Sequence, residues 1–338
     1  MILDLNAIDQ EIENGYINVQ FHPTAPLRIL NYSQRAQFDW RWNNETMMCR
    51  GLILDDQDRI VARPFPKFFS YDQLNGIVPD EPFEAFEKLD GSLGISYFDG
   101  EEMQIATRGS FTSDQAVRAR TILRVRYPHV EFDPEMTYLF EIIYPENRIV
   151  VDYGGMEDLV LLAVIETATG YEKPLLDIGF PLVKRYDGIN DFQAILSQQD
   201  PTREGFVIRF QSGQRVKIKF DEYKRLHKLV TGVNARHIWD CLRNGTSLND
   251  LLDRVPDEYF QWVRETENDL LGQFASIESQ ARGAMRFGGT RKELAEIFKK
   301  SPHAGIMFSI LDNKDYRSTI WKMIKPSGTT PFRVDSEN

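Results

Sequence analysis

From about residue 25 to 230 the chain alternates short apolar runs with Gly, Pro, Asn and Asp punctuation: LRILNY, RGLILDD, RIVARPF, LGISYFDG, EMQIATRGS, YLFEIIY, DLVLLAVIET, EGFVIRF and RVKIKF. Runs this short, rich in β-branched and aromatic residues and bounded by turn formers, predict β-strands. DGEEM at 99–103 and QSGQ at 211–214 have the length of hairpin connections, so the sheets are expected to be largely antiparallel. Helices fit 113–126, with Ser113 as cap, and 190–199. After about residue 235 the period changes. SLNDLLDRV at 247–255 reads as a helix, and a long amphipathic run from Asp257 to about Met285, behind Pro256, sets Tyr259, Val263, Leu270, Phe274, Ile277 and Ala281 at helical spacing. Thr290 and Glu293 form a capping box ahead of LAEIFKK, DYRSTIWKMI predicts a last helix, and SGTTPFRVDSEN reads as a loose tail. The expected fold class is α+β: an antiparallel-sheet-rich domain over residues 1–232, then a small all-helical domain over 233–338.

Composition narrows the setting. With 338 residues and 42% hydrophobic positions the chain can build two cores. Its longest apolar run, LVLLAVI at 159–165, is far too short to cross a bilayer, so no membrane partner is expected. The amino terminus has an acidic flank and no small-residue cleavage site, which points to a cytoplasmic protein. Cys49 and Cys241 lie far apart without a CxxC, and the histidines lack metal-ligand spacing, so neither a disulfide framework nor a zinc site is expected. A net charge of −11 opposes nonspecific nucleic-acid binding by the molecule as a whole, yet averages hide patches. RVKIKFDEYKRLHK at 215–228 holds six basic residues against two acidic ones. RARTILRVR at 118–126 holds four arginines that do not share one helical face, so a basic patch and an ordinary solvated helix surface both stay open there.

Candidate chemistry centres on FEKLDGSLG at 86–94, where Lys88 precedes an Asp-Gly turn between apolar flanks. A charged ammonium is no nucleophile; partial burial and neighbouring cations promote loss of its proton. In VKIK, Lys217 and Lys219 are one residue apart, so a strand points both to one face and sends Val216 and Ile218 to the other. Two amines on one face repel each other until a phosphate lies between them, and the same charges stabilise a phosphorane-like transition state. Glu204 precedes Lys217 across the QSGQ turn, so a hairpin brings the carboxylate and the lysine pair into one pocket. Glu141 follows an apolar strand, and carboxylates beside a triphosphate are suited to Mg²⁺, a hard cation that keeps several waters.

The ordered set Lys88-Leu-Asp-Gly91, Phe140-Glu141, Glu204-Gly205 and Lys217-Ile-Lys219 resembles the signature of covalent nucleotidyltransferases, the superfamily of ATP-dependent DNA ligases, RNA ligases and mRNA capping enzymes. RILNY, CRG at 49–51, ARPFPKFF at 62–69, EKLDGSL, TRGS, FEIIYPENRIV at 140–150, EGFV and KIKFDEYKRLH look like the blocks of the phage RNA ligase family typified by T4 RNA ligase 1, in its order, over roughly residues 25–230. The resemblance implies an ATP-grasp-like nucleotidyltransferase domain that uses ATP and Mg²⁺ (or Mn²⁺). It implies adenylylation of Lys88, release of pyrophosphate, transfer of AMP to an RNA 5′-phosphate, and attack by a 3′-hydroxyl that seals the break.

Carried over by position, the resemblance makes Lys88, Glu204, Lys217 and Lys219 the catalytic set. It places Tyr32, Arg50, Lys67, Phe69, Glu87 and Gly91 in the ATP pocket, with Arg50 and Lys67 on phosphates and Lys217 and Lys219 on the α-phosphate. Glu141 and Glu204 would bind ribose or the hydrated metal. Tyr223 matches a tyrosine used in ligation, and Arg108 stands where the best-known member has lysine; both would face the RNA. The implied partners are RNA with 5′-phosphate and 3′-hydroxyl ends, cleaved tRNA among them, and an enzyme that heals RNA ends. The carboxyl-terminal helices do not resemble the phage enzyme's equivalent region and carry over no tRNA preference; such an appendage is expected to grip RNA. DNA ligases and GTP-using capping enzymes normally continue into an OB-fold after the KIK block, whereas this chain turns helical there. A catalytically silent RNA-end-binding module is the alternative outside the enzymes, and the intact nucleophile and glutamates argue against it.

Overall fold

The nine apolar runs all contain strands, and five further strands that the runs did not single out bring the total to fourteen among the described residues of the computed structural model, which describes residues 3–188, 191–221, 223–224, 234–248, 260–283 and 290–326. The chain packs as two units, Met1–Val230 and Thr231–Asn338. In the first, β1 (Ile17–Phe21), β2 (Leu27–Tyr32), β3 (Arg50–Asp55) and β4 (Ile60–Ala62) make a four-stranded meander. β5 is Phe69–Ser70, β6 Phe83–Lys88, β7 Ser92–Phe98 and β8 Met103–Thr107. β9 is Met136–Ile143, β10 Asp158–Glu166, β11 Glu172–Lys173, β12 Arg185–Tyr186, β13 Gly205–Phe210 and β14 Arg215–Lys219. These assemble as two five-stranded sheets, ordered β11-β10-β9-β7-β8 and β12-β6-β13-β14-β5. All pairs are antiparallel except β14 with β5. Both expected hairpins are present, β7–β8 and β13–β14.

Strand alternation explains the sheet that carries the candidate chemistry. Ala85 of β6, Phe206, Ile208 and Phe210 of β13, and Val216 and Ile218 of β14 are buried in one cluster on one face. In register, Lys88 lies opposite Gly205 and Gly205 opposite Lys219, while Phe86 lies opposite Val207 and Val207 opposite Lys217. The other face therefore carries Lys88, Lys217 and Lys219. Beside them Phe86 packs with Leu89 against the buried Ile143, Val160 and Val183.

Helix Asp114–Arg126 begins at Ser113, whose hydroxyl accepts the Ala116 N–H as the sequence predicts. Its basic patch does not survive: Arg118 pairs with Glu157, Arg124 with Glu102 and Arg126 with Asp158, while Arg120 donates to the carbonyls of Ile105 and Phe111. The helix expected over 190–199 is shorter, Phe192–Leu196, because Asp191 caps it late and Ser197 ends it.

The second unit's described elements are all helices: Ala235–Asn244, Phe260–Gly283, Arg291–Phe298, Ala304–Leu311 and Arg317–Met323. Val263, Leu270, Phe274 and Ala281 are buried as their spacing requires, with Ile277 half-buried. Trp239 donates its indole N–H to the carbonyl of Trp321. Thr290 and Glu293 form the reciprocal capping box. Helix Ala304–Leu311 was not expected, because AGIMFSIL is apolar almost all round and lacks a helical period. Tyr259, Pro256, most of the 247–255 segment and the tail lie outside the described residues. No described helix is long and apolar enough to cross a membrane.

Candidate active site

The turn after β6 is fixed by its aspartate. Asp90 is buried; one carboxylate oxygen accepts the Tyr223 hydroxyl at 2.7 Å and the other accepts the N–H groups of Val150 and Val151, each at 2.8 Å. Its own N–H donates to the Tyr153 hydroxyl at 2.7 Å. Four hydrogen bonds to two distant segments, 150–153 and Tyr223, thus hold the turn after Lys88. Gly91 follows because nothing larger fits: a Cβ would lie 2.6 Å from the Ile142 carbonyl oxygen and 3.0 Å from Glu141 Cγ. In this approach the Gly91 N–H donates to Glu141 Oε1 at 2.9 Å.

Lys88 and Lys219 reach the same atom from opposite strands. Their Nζ atoms lie 2.9 and 3.0 Å from Glu204 Oε1. The Glu204 side chain is 3% exposed, that of Lys219 10% and that of Lys88 21%, so this is a largely desolvated triad. Gly205 makes it possible. With φ of +151° it lies between Lys88 and Lys219 in the sheet, and a Cβ there would stand 1.9 Å from the Ile218 carbonyl oxygen. The Lys88 amine thus shares one carboxylate oxygen with Lys219, and that oxygen draws the two side chains together. Burial pushes the Glu141 carboxyl up to about 7; the charge of Lys88 pulls it back, and that of Glu204 pushes it further. Among the described residues no group of three or more His, Cys, Asp or Glu stands ready to hold a metal ion. The pair Glu141 and Glu204, one of them short of cationic compensation, fits a cation that arrives with its own phosphate and water ligands.

A second cluster lies on the far side of β14. Phe69 is in register with Val216, and Ser70 with Lys217. Lys67, buried, sits 5.2 to 5.4 Å above the rings of Trp42, Tyr32 and Phe69. Arg108 donates to the Tyr32 hydroxyl at 2.8 Å and lies 5.0 Å from its ring. Aromatic faces attract an ammonium, so the three rings help to hold Lys67 in place. Arg50, at the start of β3, lies 5.5 Å from the Phe68 ring.

The predicted residues thus fall into two groups joined by one strand. Lys88, Gly91, Glu141, Glu204 and Lys219 converge, Lys217 shares their face, and Tyr223 reaches them through Asp90; Tyr32, Lys67, Phe69 and Arg108 form the second group. Glu87 does not join either. Alternation along β6 sends its side chain to the face opposite Lys88, in register with Phe206, where Arg203 is a charged neighbour. Sequence reasoning missed Trp42, Tyr153 and the role of Asp90; WRW at 40–42 and DY at 152–153 offered only aromatic residues beside turn formers.

The family described as RNA ligase matches residues 48–224, just over half of the chain and the whole span from Met48 to Lys224 that builds both clusters save Tyr32 and Trp42. The chain belongs to this RNA ligase family. A protein of Autographa californica nuclear polyhedrosis virus, named for polynucleotide kinase and RNA ligase, is 27% identical over 244 residues, covering 63% of this chain and 35% of that protein. RNA ligase 1 of Bacteriophage TS2126 is 29% identical over 157 residues, covering 40% of this chain and 39% of its own length. The family member described here thus spans well under half of those two relatives. An archaeal ATP-dependent RNA ligase superposes with a TM-score of 0.46 at 16% identity, covering 83% of this chain and 80% of that one.

Proposed function

We propose that this chain is an ATP- and divalent-metal-dependent RNA ligase whose first step charges Lys88 with AMP. The observation that carries the reading is the convergence of Lys88 and Lys219 on Glu204 beside the Gly91–Glu141 contact. The Lys88 amine attacks the α-phosphorus of ATP, a P–N bond forms, the bond to the β-phosphate oxygen breaks, and pyrophosphate leaves. Glu204 Oε1, 2.9 Å from Nζ, is within reach of the proton the amine must lose. Lys219 and Lys217 face the same space and stabilise the charge on the α-phosphate oxygens; Lys67 and Arg108 reach the outer phosphates, and Arg50 supports that side. Glu141 and Glu204 would hold Mg²⁺ or Mn²⁺, which supplies further charge neutralisation. AMP then passes to an RNA 5′-phosphate, and a 3′-hydroxyl displaces it to close the strand.

The physiological role that accords with this chemistry is repair of broken RNA in the cytoplasm, with cleaved tRNA a candidate substrate and an end-healing enzyme a candidate partner that supplies the 5′-phosphate and 3′-hydroxyl. The test is to incubate the protein with ATP and Mg²⁺ and weigh it intact. We expect a mass increase of one AMP on the wild type and none on Lys88→Ala. A wild type that never gains AMP, or a variant that still does, overturns the proposal.

A further inference from the structure

Trp40 occupies a position where the backbone calls for glycine. The short helix Gln34–Phe38 ends in a Schellman arrangement: the Trp40 N–H donates to the Gln37 carbonyl at 3.3 Å and the Arg41 N–H to the Ala36 carbonyl at 2.8 Å. The residue at the turn must be left-handed, and Trp40 has φ of +54°. A bulky side chain in that region is a genuine outlier, and such strain persists where the residue has a task. The ring is also not spent on the core. Trp40 is 46% exposed, and its described ring contacts are Phe69, at 5.3 Å and tilted by 37°, and the edge of Trp42 at 6.3 Å. Phe69 in turn flanks β14 one strand spacing from Val216 and Lys217. The indole thus stands on the solvent side of Phe69, next to the Lys67 cluster.

We infer that Trp40 is a stacking platform for a nucleobase of the single-stranded RNA substrate near the end to be sealed. This rests on the ligase reading above and extends it to the RNA. A half-exposed indole that shares Phe69 and Trp42 with the Lys67 cluster offers an aromatic face for a base near positive charge, the pairing single-stranded nucleic acid takes from a protein. Lys67 is buried and Arg108 half-buried, whereas Trp40 is 46% exposed and open to a polymeric substrate. The contacts with Phe69 and the edge of Trp42 orient the ring, so a base meets a preset surface.

The experiment measures two quantities on the wild type, Trp40→Gly and Trp40→Tyr: AMP adduct formation with ATP and Mg²⁺, and equilibrium binding of a 5′-phosphorylated single-stranded RNA oligonucleotide. Glycine suits the left-handed turn, so Trp40→Gly keeps the fold, and normal adduct formation reports that it has. We expect Trp40→Gly to bind RNA about 5- to 100-fold more weakly, the effect of losing one stacked base, and Trp40→Tyr to restore most of it. Oligonucleotides carrying one abasic site, scanned from the 5′ end, should show a position at which the wild type loses affinity and Trp40→Gly loses no more. Unchanged RNA affinity in Trp40→Gly overturns the inference, as does a parallel loss of adduct formation, which would assign the ring to ATP or to the fold. Failure of the ligase reading itself looks different, since the wild type then acquires no AMP.

Discussion

Replacing Glu141 by Gln should stabilise the protein stripped of nucleotide and metal, and only at neutral and alkaline pH. Burial holds the Glu141 carboxyl at about 7 against an ordinary value of 4.5. A folded-state value above the unfolded one means that the native state binds the proton more tightly, so stability is full below the unfolded value and falls as pH rises through the interval from about 4.5 to 7. A gap of two to three units corresponds to roughly 3 kcal/mol lost above pH 7. Gln has the shape of the neutral acid and keeps an oxygen to accept the Gly91 N–H, now at 2.9 Å. The variant should therefore gain roughly 3 kcal/mol at pH 8, shrinking to less than about 1 kcal/mol at pH 5. Denaturant unfolding of both proteins with chelator present, at pH 5, 6, 7 and 8, measures the difference directly, and other titrating groups cancel between them. An equal gain at all pH values, or a loss at pH 8, would refute the argument that an undercompensated carboxylate is stored beneath Lys88. The same variant should be impaired in AMP adduct formation, a trade of activity for stability.

Three further outcomes follow from the same geometry. Glu204→Gln leaves the ammoniums of Lys88 and Lys219 without their shared charge and should cost about 3 kcal/mol in denaturant unfolding and abolish the adduct; an unshifted midpoint would show that the triad does not form in solution. Gly205→Ala puts a methyl 1.9 Å from the Ile218 carbonyl oxygen, so β13 and β14 must part at the triad; we expect a loss of about 3 kcal/mol or more and slowed adduct formation, and wild-type single-turnover rates would contradict it. Tyr223→Phe removes one of the three hydrogen bonds that the Asp90 carboxylate accepts and should cost about 1 kcal/mol, with adduct formation slowed less than in Glu204→Gln; a larger effect on the adduct than on stability would give Tyr223 a direct part in the chemistry.

The extent to which this site was legible depended on how far apart in the chain the partners lie. Alternation along five residues placed Lys217 and Lys219 on one face, and the short QSGQ turn placed Glu204 within reach of them, because a tight hairpin fixes register. Glu87 lies on the other face for the same local reason, since it is adjacent to Lys88 on a strand. Asp90 was visible as a turn former but not as the hub of four hydrogen bonds, since Tyr153, Val150 and Tyr223 come from segments no local rule relates to it. Lys67 was legible as a cation, while the rings that hold it come from β2, β5 and the turn before Asn43.

The pairing of β6 with β13 makes the limit sharper. Lys88 and Gly205 are neighbours across that pair, yet no turn length specifies it, and a slip of one residue would turn Lys88 to the face of Ala85 and Phe206. What specifies it is hydrophobic: Ala85 opposite Ile208 and Phe83 opposite Phe210 must both enter the same core. The triad's geometry is therefore enforced from the face that carries no chemistry. Substitutions that loosen that core, such as Ile208→Ala, should weaken adduct formation more than their distance from Lys88 suggests, because the strand register that brings the reacting amine to Glu204 is set by Ala85 and its core partners.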